Sequence, residues 1–261
     1  MRKTAALMAL LLALSIIPGV ALADGHTSDV RVVHGVPGLT VDVYVNGGLL
    51  LEGFEYLEVA GPLQLEAGTY DVEVFAAGAD PEVDAPALTA SYDVPAGISA
   101  AIVAHLEEGG TPTLSLAVDN IDATDAGNGR VTARHFADAP VVDIWAGGAP
   151  LFTEVPNGAG ADADVPADTY DVVIVPTGAT EPVVFEAPVA IPEGSNVVVH
   201  AVGTTEDLQV AVYVIDGLHS TPTEVPSGTA GTAAMVPFAS LALAAAGVAI
   251  LASRKFGFST N

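Results

Sequence analysis

The chain repeats itself at an interval of about 100 residues, and a duplication of that size constrains the architecture more than any single element does. His34-Gly-Val-Pro-Gly-Leu-Thr-Val-Asp42-Val-Tyr-Val-Asn-Gly-Gly48 returns as His135-Phe-Ala-Asp-Ala-Pro-Val-Val-Asp143-Ile-Trp-Ala-Gly-Gly148, with Asp eight residues after His in both. Glu66-Ala-Gly-Thr-Tyr-Asp-Val-Glu-Val74 returns as Pro166-Ala-Asp-Thr-Tyr-Asp-Val-Val-Ile174, and Val94-Pro-Ala-Gly97 as Ile191-Pro-Glu-Gly194. Two homologous domains are expected, over residues 28–120 and 129–217, joined by an acidic linker at 121–128.

Within each copy the apolar period is two. Val41, Val43 and Val45 alternate with Asp42, Tyr44 and Asn46, after which Gly47-Gly48 turns the chain. Tyr70, Val72 and Val74 alternate with Asp71, Glu73 and Phe75. Alternation of this kind marks half-buried antiparallel strands. Ile98–His105, Leu114–Val118, Asn196–Val202 and Leu208–Val214 continue the strand pattern, with Pro or Gly as punctuation. An all-β fold follows, with some seven short strands per copy in an immunoglobulin-like β-sandwich; a small barrel shares the pattern.

Charge excludes one class of function. The chain of 261 residues carries 32 Asp and Glu against 7 Lys and Arg, a formal −25. A polyanion gains nothing from counterion release on phosphates, so nucleic acid is excluded as a partner. Cysteine is absent, which removes thiolate metal centres and disulfides. Between Asp24 and Ala234 the 32 acidic residues face only Arg31, Arg130 and Arg134, a net of −29. Such a surface stays soluble by self-repulsion and is screened in salt.

The two ends read as targeting segments. Arg2 and Lys3 precede an apolar run, a Pro18-Gly19 break and an Ala21-Leu22-Ala23 site, the layout of a signal peptide over 1–23. Residues 235–253 are uncharged and end at Arg254-Lys255, which reads as a membrane anchor with residues 254–261 inside and the domains outside. Residues 218–234, rich in Ser, Thr, Gly and Pro, read as a stalk. Val225-Pro-Ser-Gly-Thr229 approaches a sortase signal, but the order L-P-x-T-G is not met, so a retained helix is favoured over transfer to the cell wall.

Val30-Arg-Val-Val-His34, Val41-Asp-Val-Tyr44, Ala67-Gly-Thr-Tyr70 and Val94-Pro-Ala-Gly97 together resemble domain of unknown function 4397, a module of secreted and surface-attached bacterial proteins that is often found in tandem. Both copies carry the resemblance. Copy two departs from it at Asp168, where the motif has Gly, and keeps only Pro140 in the loop after its His. The resemblance implies an immunoglobulin-like fold and an extracellular setting, and it implies no activity.

Four groups of residues are candidates for chemistry. His34 with Asp42, and His135 with Asp143, have the types of an oriented general base. No G-x-S-x-G motif or recurring serine stands beside them, so the pairs read as family-motif residues that hydrogen-bond a loop, and no catalytic residue is assigned. Asp119, Asp122 and Asp125 supply the oxygen ligands that Ca²⁺ takes, at a spacing unlike an EF-hand; Asn120 and Asn128 lie among them, and no other cofactor is implied. Tyr44 and Trp145 occupy matching positions and, if the valines face the core, point outward as a surface for a protein or glycan partner. The expected function is a non-enzymatic surface protein, structural or adhesive, anchored in the membrane. A Ca²⁺-dependent or glycan-binding module is the alternative, and an extracellular hydrolase the more distant one.

Overall fold

In the computed structural model, residues 27–181 and 183–219 are described. The stretches read as signal peptide, membrane anchor and tail, and most of the one read as a stalk with its sortase-like motif, lie outside them. Among the described residues no helix is long and apolar enough to cross a membrane.

Each copy forms eight strands. The first gives β1 (Thr27–His34), β2 (Val41–Val45), β3 (Gly48–Phe54), β4 (Val59–Glu66), β5 (Gly68–Ala76), β6 (Leu88–Val94), β7 (Ser99–Leu106) and β8 (Pro112–Val118). The second gives β9 (Asn128–Asp138), β10 (Val142–Ala146), β11 (Ala149–Val155), β12 (Gly160–Pro166), β13 (Asp168–Pro176), β14 (Phe185–Ile191), β15 (Asn196–Thr204) and β16 (Leu208–Ile215). The β2–β3 hairpin turns on Asn46-Gly47 and β10–β11 on Gly147-Gly148, all four residues at positive φ, as two-residue hairpins require. The first turn thus sits one residue earlier than the Gly47-Gly48 reading placed it.

Both copies have one topology. The sheets run β4-β1-β7-β8 and β3-β2-β5-β6 in the first, β12-β9-β15-β16 and β11-β10-β13-β14 in the second. In each copy the two sheets share a core: Val30, Val32 and Ile102 of one sheet meet Val43, Val72 and Val74 of the other. The expected sandwich therefore forms, but its order is not the immunoglobulin one. An immunoglobulin sandwich pairs its first strand with its second and has sheets of four and three. Here the first strand pairs with the fourth and the seventh, and the β1–β7 and β9–β15 pairings are parallel.

The parallel pair has a packing cause. Every residue of β7 is buried, and so is every residue of β15 but its last. A strand reads this way when both its faces are covered. Ala100 and Ile102 face the first sandwich, while Ala101, Val103 and His105 face outward from it; there they meet Phe136 of β9 and Val198, Val202, Ala211 and Tyr213 of the second copy. The two inner sheets thus pack face to face, and the described residues stack four sheets deep.

The contact between the copies is pseudo-twofold. Tyr56 approaches Gly203, and its counterpart Asn157 donates to the carbonyl of Leu106, the counterpart of Gly203, at 2.9 Å. Gly35 lies so close to Val202 that a β-carbon there would stand 2.6 Å from its Cγ1. Their counterparts, Phe136 and His105, pack ring against ring at a tilt of 30°, with centroids 4.4 Å apart. Small-on-large in one half and large-on-large in the other is how a self-complementary interface diverges once its halves share a chain.

Candidate functional site

In each His–Asp pair the two side chains bond different backbone groups. His34 Nε2–H donates to the Leu39 carbonyl (3.0 Å) and His135 Nε2–H to those of Pro140 (2.9 Å) and Ala139 (3.2 Å), each closing the loop that follows. Burial lowers the pKa of both rings, and these backbone bonds only partly offset it. Asp42 accepts from the N–H groups of Gly53 and Gly78, both at 2.7 Å. Asp143 accepts from those of Glu154 (2.8 Å) and Gly178 (3.0 Å) and from the Thr177 hydroxyl (2.9 Å), bonds that hold its pKa below the usual range. Gly53, Gly78, Glu154 and Gly178 all have positive φ, so each Asp clamps a bulge and a loop that ordinary pairing leaves unsatisfied.

The linker carboxylates do not converge. Asp119 turns inward, its side chain wholly buried, and binds Arg134 at 2.8 Å. The Tyr213 hydroxyl also donates to it (2.8 Å), as does the Ser99 hydroxyl (2.8 Å). Asp122 and Asp125 are exposed. The cation that the linker oxygens surround is a guanidinium: Arg130 donates to the Asn120 side-chain oxygen (2.9 Å) and the Asp122 carbonyl (2.9 Å), and grips Asp164 with two nitrogens. Among the described residues no three His, Asp or Glu side chains are grouped to hold a metal ion.

Tyr44 and Trp145 face away from the sandwich cores, on the side of Asp42 and Asp143, yet neither is a free platform. Both are half-buried; Tyr44 meets Phe75 edge-on at 5.2 Å, and the Trp145 indole N–H is buried without a partner.

A different site emerges where the sandwiches meet. On one side β16 packs against β4. On the other, a cleft of about 510 Å³ opens between the edge strands β8 and β12. Its walls are Leu114–Val118 and Gly158–Asp162, with Tyr92, Asn120, Thr132 and Arg134 between them. Arg134 is held by Asp119, Tyr213 and the Val118 carbonyl. His105 Nδ1 lies 3.2 Å from the Leu106 carbonyl, which can only accept, so the ring is protonated there. Its Nε2 then accepts from the Ser115 hydroxyl at 2.8 Å. Burial lowers the His105 pKa and keeps the ring neutral, so the Ser115 oxygen keeps its lone pairs toward the cleft. The Tyr92 hydroxyl is buried without a partner, and burial raises its pKa.

Ser115, Tyr92, Asn120 and Asp162 come from four segments, and the two-residue alternation of β8 gives no reason to single out its serine. The available signal was the unbroken apolar run Ala100–Ala104 beside the same in Val197–Val199, which says that one sheet face must be covered by something outside its own sandwich.

No curated protein matches the chain. Residues 28–145, which span β1–β9 and most of β10, match a family model described as Domain of unknown function (DUF4397), so this part of the chain is similar to a module whose activity is not established.

Proposed function

We propose that the protein is exported, held in the membrane by residues 235–253, and displays the fused pair of sandwiches outside as a non-enzymatic structural or adhesive head. The observation that carries the reading is the use made of the duplicated His and Asp: all four satisfy backbone groups in the same way in both copies, leaving neither pair free for acid–base work. The charge distribution supports display. All three arginines between Asp24 and Ala234 are buried, so no Lys or Arg side chain offsets the acidic exterior of the head. Such an exterior suits a domain kept apart from its neighbours by repulsion.

The test is fractionation of cells producing the full chain and a variant that ends at Thr221. The full chain is expected in the membrane fraction and open to added protease, and the shortened chain in the medium. Full-length protein that stays soluble inside the cell contradicts the proposal.

A further inference from the structure

We infer that the cleft between β8 and β12 binds a neutral polyhydroxylated ligand, a saccharide, by its hydroxyl groups. The inference rests on the display reading and names what such a head would hold.

The pseudo-twofold axis supplies an internal control. If the polar cleft were only a by-product of packing two inner sheets, the other side of the interface would carry the same chemistry. It does not: the position of Tyr92 is taken by Val189, that of Ser115 by Ala211 and that of Asp162 by the Gly61–Pro62 bulge, and there the strands close on each other. Tyr92, Ser115 and Asp162 are therefore additions to one side only, and that side is the open one.

Their chemistry selects the ligand. Ser115 spends its proton on His105 and presents lone pairs. Asp162 is more than a third exposed; it takes one bond from the Asn120 amide (2.9 Å) and stands 3.7 Å from Arg130, which leaves acceptor capacity on its carboxylate. The cleft is thus rich in acceptors, and the two guanidinium groups beside it are each paired with a carboxylate, Arg130 with Asp164 and Arg134 with Asp119. An anion meets carboxylates and cations that already have counter-charges, whereas a ligand made of hydroxyl donors meets open acceptors. Tyr92 adds an aromatic side chain and an unpartnered hydroxyl that a ligand oxygen can satisfy. The volume lies within the range of small-molecule sites, and a domain interface is where such sites concentrate.

The experiment is ligand-observed saturation-transfer NMR on the detergent-solubilised full chain with maltose, cellobiose and chitobiose, alongside retention on cellulose and chitin beads and a spermidine control. At least one sugar or bead is expected to bind, weakly, with a dissociation constant on the order of 1 mM or below for a soluble sugar. A response to the disaccharides assigns a free sugar, and retention on beads alone assigns a polymer; both support the site. Tyr92→Phe and Asp162→Ala should each weaken binding by about tenfold. Tyr92→Phe should leave the melting temperature unchanged or higher, since it removes an unsatisfied hydroxyl, which separates lost recognition from lost folding.

Binding of spermidine in place of sugar overturns the ligand class. Absence of any sugar response, or a response that survives both variants and is lost in Trp145→Ala, overturns the site. Fractionation reads the display proposal separately: a protein that is anchored but binds no sugar fails only here, and one that binds sugar but is not anchored fails only there.

Discussion

His200 is the least comfortable residue of the interface. It is fully buried, neither ring nitrogen has a partner among the described residues, and burial, then Arg134, then His105 push its pKa well below the usual value. An apolar residue of similar size does better there, so His200→Leu is expected to raise stability by about 1–2 kcal/mol in denaturant unfolding at pH 7. The same logic sets the pH response. His34, His105, His135 and His200 all have lowered folded-state pKa values, so as pH falls below 6.5 the unfolded chain takes up protons that the folded chain refuses. Stability is full above that pH and is lost below it, at up to about 1.4 kcal/mol per pH unit for each ring. Melts between pH 7.5 and 5 check this, and His200→Leu should flatten the slope. Asp119 is the converse case: Asp119→Ala strands Arg134 without its counter-charge and should cost about 3–5 kcal/mol.

Among the elements, the hairpins and the period-two strands were legible in the sequence because turn chemistry and alternation are local. Asn46-Gly47 and Val41-Asp42-Val43 needed no tertiary information to be read. The pairing order was not legible, because nothing in β1 states that it lies between β4 and β7 rather than beside β2. The cleft was invisible for the same reason, since it exists only where edges of two sheets stand opposite. The duplication allows one element-scale test. Glu154 holds a φ of 56° on β11, where the first copy has Gly53 at 63°. Glu154→Gly should therefore stabilise by about 1 kcal/mol, measured by denaturant midpoint, because glycine enters that region without a β-carbon penalty. A loss of stability would mean that the Glu154 side chain compensates for its backbone.

At the scale of the whole molecule, two opposed terms meet. A head at −29 repels itself, while Val33, Val103, Phe136, Val198 and Val202 bury an apolar seam between the copies. Screening by added NaCl should raise the melting temperature, with most of the effect reached once the Debye length falls to roughly 3 Å near 1 M. Phe136→Ala should cost about 3–5 kcal/mol, as truncation of a buried aromatic does, even though Phe136 belongs to neither sandwich core. That seam makes one cooperative unit of the two repeats. Its most direct test is calorimetric unfolding of the segment Asp24–Thr221: one transition is expected, with calorimetric and van't Hoff enthalpies in a ratio of about 1. Two separate transitions, each the size of one sandwich, would contradict it.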